Sequence, residues 1–241
     1  MTTFVLVHGA WSGAHSWRYV RPLLQAEGDL VFTPSLTGIG ERVHLVSPHV
    51  DLTTHVSDVV NQVLYEDLTD IVLLGFSYGG AVVTGALAHI GDRVSHLVYL
   101  DAFVPGDGQS VNDLRGQPDV NPIGLGDEWL IPPRPRAFDD PREAEWQATR
   151  RVAQPSATFA EKVQLARPLE QWPFTLTYVK ATADSQDQDG SGPFWFAARR
   201  AQQSAAWNYH EVATSHMIPQ NRPVELARIL VQGAISASAT V

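Results

Sequence analysis

One stretch, Ile71-Val72-Leu73-Leu74-Gly75-Phe76-Ser77-Tyr78-Gly79-Gly80, constrains this chain more than any other. Four apolar residues make a short buried strand, and Gly75 to Gly79 then fits the G-x-S-x-G pattern of a sharp turn from strand into helix. A bare G-x-S-x-G arises by chance in glycine-rich loops, so the context decides its meaning. Here the strand precedes it, and Ala81, Val82, Val83, Ala86, Leu87 and Ala88 follow as a helix that Gly91 can end. The turn requires small neighbours around Ser77, which accounts for Gly75, Gly79 and Gly80, and it leaves the serine hydroxyl exposed above the sheet edge.

Around this stretch, apolar runs alternate with helical patterns. Strands are expected at Phe4–Val7, Leu30–Phe32, Ile71–Leu74, His96–Leu100, Thr175–Lys180 and Asn208–Val212. Val56, Val59, Val60, Val63 and Leu64 match a helical face, with Thr53 or Thr54 as its cap, and Pro223 opens a closing helix. The alternation predicts an α/β fold with a mainly parallel, doubly wound sheet of about six strands. Between 105 and 173 the regularity lapses into a Pro- and Gly-rich stretch with scattered aromatics and Arg134, Arg136 and Arg142. A structureless loop of that length is improbable in a compact domain, so the expected organisation is a core of 1–104 and 174–241 with an inserted cap at 105–173. With 241 residues, one such domain buries a sizeable core unaided.

Composition narrows the partners. Seventeen Lys plus Arg against 26 Asp plus Glu give a formal net charge of −9, which argues against nucleic acid. Cysteine is absent, which excludes disulfides and thiolate chemistry and fits a reducing compartment. No apolar run approaches a membrane span and no leader pattern precedes Phe4, so a cytoplasmic location without membrane association is expected. No H-E-x-x-H or similar ligand spacing occurs, so neither a metal nor another cofactor is expected, and nothing indicates a homo-oligomer.

A serine hydroxyl needs a base to remove its proton, and the base needs a third group to orient it. Of nine histidines, His216 alone lies in the loop after the last strand, where the order serine, acid, histidine places the base. Two acids satisfy that order. Asp101 ends the strand after the elbow helix, whereas Asp184, with Asp187 and Asp189 nearby, lies in the acidic loop after the next strand. Both sit at carboxyl ends of strands, where catalytic groups of open α/β sheets gather. A lone Asp ending an apolar strand is harder to explain as mere solvation, which favours Asp101, with Asp184 as the alternative. The turn His8-Gly9-Ala10-Trp11 after the first strand offers the second half of an oxyanion hole, through the N–H groups of Ala10 and Tyr78. Expected pocket walls are Gly9, Trp11, Phe76, Phe103, Trp129, Trp146 and Met217.

Together, Phe-Val-Leu-Val-His-Gly-Ala-Trp at 4–11, Leu-Leu-Gly-Phe-Ser-Tyr-Gly-Gly at 73–80 and Ser-His-Met at 215–217 resemble the α/β-hydrolase superfamily. Within it, the stretches at 32–42 and 99–105 look most like the small bacterial esterases, akin to plant methylesterases and hydroxynitrile lyases. The resemblance implies a Ser-His-acid triad, carried onto Ser77 and His216. In the plant enzymes the acid follows the penultimate strand, near Thr182 to Asp184 here after a small shift, so this position stays open between Asp101 and Asp184. The lyases of this family carry Thr where this chain has Gly9 and Lys where it has Met217, so both positions look like the esterase state. The expectation is a serine carboxylesterase acting through an acyl-enzyme on a small ester, with a methyl ester or carbamate of an aromatic acid as the narrower form. Its alternatives are lyase-type C–C cleavage on the same scaffold and a non-catalytic small-ligand receptor.

Overall fold

The computed structural model describes residues 1–119, 126, 128–185 and 189–238. In chain order the strands are β1 (Thr3–Val7), β2 (Leu30–Phe32), β3 (Ile71–Phe76), β4 (Val94–Leu100), β5 (Leu130–Ile131), β6 (Gln154–Pro155), β7 (Thr175–Ala181) and β8 (Trp207–Val212). The helices are α1 (Val20–Ala26), α2 (Leu52–Tyr65), α3 (Gly79–Ile90), α4 (Val111–Leu114), α5 (Pro141–Ala148), α6 (Ala157–Ala160), α7 (Pro193–Gln203), α8 (Ile218–Asn221) and α9 (Pro223–Ser238).

Six strands form one sheet in the order β2-β1-β3-β4-β7-β8, every neighbouring pair parallel. The strands are apolar on both faces because the sheet is covered on both. Val5, Val7, Leu73, Leu97, Tyr99 and Tyr178 pack into one core with α2, α3 and α7. Their period-two neighbours Phe4, Leu6, Val72, Leu74, Val98 and Val179 face the other, with Leu24 of α1 and Leu226 and Leu230 of α9. The cap of α2 differs from the expectation at Thr53 or Thr54. Asp51 takes the N-cap, accepting from Thr54 N at 2.8 Å, while Thr54 Oγ1 closes the capping box. A carboxylate completes that box as well as a hydroxyl does, and it also favours the positive helix end.

Strand order reverses between β1 and β3, so the loops after β1 and β3 leave the same sheet edge in opposite directions and open a crevice there. Residues 105–173 lie between β4 and β7 in the chain and hold α4, α5, α6 and the antiparallel β5–β6 ribbon. Trp11 fastens this segment to the sheet. Its backbone N–H donates to Gln154 Oε1 at 3.2 Å, its indole N–H to Ile131 O at 2.9 Å, and its carbonyl accepts from Val152 N at 3.1 Å.

Candidate active site

Ser77 sits one residue past β3 with φ 56°, in the left-handed region that non-glycine residues seldom occupy. The turn holds because three glycines admit backbone where a side chain would collide. A Cβ on Gly75 would stand 2.6 Å from Gly79 O, one on Gly79 2.7 Å from His8 O, and one on Gly80 2.2 Å from Phe103 O. Ser77 N donates to Leu100 O at 3.1 Å, and Ser77 O accepts from Phe103 N at 3.1 Å, so the turn is tied to the end of β4. Two other strand ends repeat the device, with Trp11 after β1 at φ 62° and Asp101 after β4 at φ 41°. Three such positions at the carboxyl ends of neighbouring strands make this the candidate site.

His216 follows β8 and is buried. Its Nδ1–H donates to Asp101 Oδ2 at 2.6 Å, and its ring lies between Phe76, 4.8 Å away, and Phe194, 5.1 Å away and nearly parallel. Two faces of apolar carbon and one charge-assisted hydrogen bond fix the imidazole in the tautomer that leaves Nε2 free to accept a proton. Asp101 is fully buried. Its Oδ1 accepts from Lys180 Nζ at 2.8 Å and from Ala181 N at 3.3 Å, and Lys180 is itself fully buried, donating also to Ala181 O at 2.7 Å. Burial pushes the Asp101 carboxyl up, but the hydrogen bond from His216 and the Lys180 ammonium outweigh it and hold the group below the usual carboxylate value. Burial lowers His216, the Arg136 charge lowers it further, and Asp101 and Asp184 oppose both; the net direction is down.

Asp184 lines the chamber above Ser77, 3.8 Å from Arg136, and reaches His216 only through its charge. Of its acidic neighbours, Asp189 caps Ser191 and Asp187 lies outside the described residues.

Two cavities meet at the serine. A crevice of about 20 Å³ joins Ser77 and His216 and is lined by Gly9, Ala10, Phe76 and Met217. A chamber of about 280 Å³ is walled by Ala10, Trp11, Tyr78, Phe103, Phe159 and Phe194, together with Arg115, Arg134 and Arg136. Ala10 and Tyr78 therefore flank Ser77, and among the described residues neither backbone N–H donates to a protein acceptor. The Tyr78 ring stacks on Phe159, and its hydroxyl is engaged. Its hydroxyl donates to His55 Nδ1 at 2.9 Å, since His55 Nε2–H is taken by Thr37 O at 2.7 Å, and burial keeps His55 neutral with its pKa pushed down to about 4.

Two expected walls lie elsewhere. Neither cavity is lined by Trp146, whose ring is covered by the guanidinium groups of Arg18 at 3.7 Å and Arg150 at 3.9 Å, with His15 at its edge. Its pairing with one cation just after α5 and one just before α1 goes with its place outside the pocket. Trp129 is half-buried beside β5, its carbonyl accepting from Ser156 N, and it too is absent from both walls. Residues that sequence reasoning did not place here are Lys180, Phe194 and the arginines at 115, 134, 136 and 151. Lys180 did leave a signal, as a lone charge ending the apolar strand Leu176–Val179. Among the described residues no cluster of His, Cys, Asp and Glu could hold a metal ion, and no helix is long and apolar enough to cross a membrane.

Residues 4–229 match the alpha/beta hydrolase family. The chain belongs to that family. It is similar to a carbendazim-hydrolysing esterase of Nocardioides sp. (strain SG-4G), 34% identical over 95% of this chain and 98% of the relative. An alpha-hydroxynitrile lyase of Arabidopsis thaliana is 30% identical, but that match spans only 52% of this chain and 48% of the plant enzyme. Among solved structures, an extracellular alpha/beta-hydrolase from a Paenibacillus species, described as sharing structural and functional homology with tobacco salicylic acid binding protein 2, is 25% identical. It aligns with a TM-score of 0.77 over 97% of this chain and 99% of its own. This member of the alpha/beta hydrolase family thus stands among named esterases and hydrolases, with the full-length likeness on the esterase side.

Proposed function

We propose that this protein is a serine carboxylesterase cleaving a small ester or carbamate, with Ser77 as nucleophile, His216 as base and Asp101 as the acid that orients it. The observation that carries the reading is the buried 2.6 Å hydrogen bond from His216 Nδ1 to Asp101 Oδ2, in a crevice shared with Ser77. Ser77 Oγ attacks the carbonyl carbon while His216 Nε2 takes its proton. The oxygen, now negative, is held by the N–H groups of Ala10 and Tyr78. As the tetrahedral intermediate collapses, His216 returns the proton to the departing alcohol, leaving an acyl-serine that water releases by the same steps. Residues 105–173 act as the cap, supplying Phe159 and the arginines to the chamber that receives the substrate body.

Gly9 supports ester cleavage over the lyase chemistry of some relatives. A Cβ there would stand 3.0 Å from Ser77 Cβ, so the floor beside the nucleophile is kept clear of the side chain that the lyases carry. The test is labelling with a fluorophosphonate probe, peptide mapping and turnover of p-nitrophenyl acetate. Label confined to Ser77 is expected, with kcat in Ser77→Ala lower by about 10³-fold or more and the melting profile retained. Full activity in that variant, or no label on folded protein, overturns the reading.

A further inference from the structure

The chamber over Ser77 has a charge opposite to that of the molecule. The chain carries a formal −9, yet four arginines, Arg115, Arg134, Arg136 and Arg151, line the two cavities that meet at the serine. Among the described residues their only carboxylate companion in those walls is Asp184, which is 3.8 Å from Arg136. Asp101, behind His216, is matched by Lys180. Among the described residues, Arg115, Arg134 and Arg151 face no carboxylate within ion-pair distance.

These cations also crowd one another. Burial and then the Arg134 charge depress Arg115, and burial and then the Arg136 charge push Arg151 down to about 10. A fold holds like charges together at a cost, and a low-dielectric cleft lined by one sign focuses its field on a ligand of the other sign. The guanidinium fork matches a carboxylate bidentately. Phe103, Phe159 and Phe194 line the same chamber as Ser77 and these arginines, with the Arg115 guanidinium 5.3 Å over the Phe159 ring, so the walls offer ring contacts to a flat apolar body and guanidinium groups to an anion on it.

We propose that the substrate is an aromatic ester bearing a carboxylate, its ring held by Phe103, Phe159 and Phe194 and its anion by Arg115 and Arg134. This deepens the esterase reading and rests on it. The anion sits either on the acyl part or on the alcohol part, and two substrate pairs separate these cases. 4-(Methoxycarbonyl)benzoate is compared with methyl 4-methylbenzoate, and 4-acetoxybenzoate with 4-methylphenyl acetate.

In at least one pair kcat/KM is expected to favour the anionic member by about tenfold, through KM, and 0.5 M NaCl to lower that ratio severalfold. In Arg115→Gln/Arg134→Gln the ratio falls to near one. Equal or reversed ratios in both pairs, or ratios untouched by salt and by the double substitution, overturn the proposal. Calorimetric titration of the whole protein with terephthalate reads the same charge without turnover: binding lost in the double variant supports it, and absence of binding opposes it. Failure of the esterase reading shows separately, as no fluorophosphonate label on Ser77 and no turnover of either neutral ester.

Discussion

Asp101 and Asp184 stand at the ends of adjacent strands, β4 and β7, and both act on His216, but in different ways. Asp101 is sealed beneath the histidine, with one oxygen on Nδ1 and the other shared by Lys180 and the Ala181 N–H. Asp184 lies in the chamber wall against Arg136, and its influence on His216 is that of a charge at a distance. In the proposed triad, the carboxylate that orients the histidine is the one to which the sheet delivers both a hydrogen bond and a buried cation. The same residue type one strand over serves the cavity.

The sharpest test of this contrast is Asp101→Asn. An amide that donates to Nδ1 forces the proton onto Nε2, where it blocks removal of the serine proton, so kcat should fall about 10³- to 10⁴-fold. A thermal melt on the same sample checks that Lys180, now facing an amide oxygen, has not unfolded the core. A loss of tenfold or less would break the comparison.

Next in size is a pH effect. His216 would work as a base when neutral, and burial with Arg136 nearby holds its pKa below the ordinary histidine value of 6.5, so kcat/KM should decline only as pH drops below 6.5. Arg136→Gln removes one depressing charge and the ion pair that this arginine makes with Asp184, and both changes raise the histidine. The acidic limb should therefore move to higher pH, and a limb that stays or moves down would show that the chamber charge does not reach the base. The smallest effect is expected for Asp184→Asn. Activity near pH 8 should change by about threefold or less, as for a partly screened pair, and the limb should shift slightly to lower pH. A larger loss than that of Asp101→Asn would exchange the roles of the two acids.

Much of this was legible beforehand. The six strands announced themselves as apolar runs, and Ser77 through glycines whose missing side chains make room for Val7, His8, Gly79 and Phe103 backbone. His216 followed from chain order. Asp101 was favoured over Asp184 from the sequence, but its contacts were not legible there, because they depend on the β4–β7 register, in which Leu100 pairs with Val179 and so brings Asp101 beside Lys180. Within the 105–173 segment, composition revealed aromatics but not which way each ring faces. Trp146 carried a hint in Arg150, four residues on, whose guanidinium covers the ring. The chamber arginines come from positions 115 to 151 and converge only through tertiary packing, which no local pattern encodes.

The three bonds of Trp11 have a further consequence for anyone exchanging specificity between relatives. Ala10, whose N–H we propose as a donor to the developing negative oxygen, is covalently next to a residue whose N–H, carbonyl and indole all end on the 131–154 region. Grafting a foreign segment there for a new substrate range without Gln154 and the Ile131 and Val152 backbone contacts would slacken the rate-enhancing loop along with the pocket. Selectivity and turnover in this scaffold are therefore inherited together, and a transplant succeeds only when its seam includes Trp11.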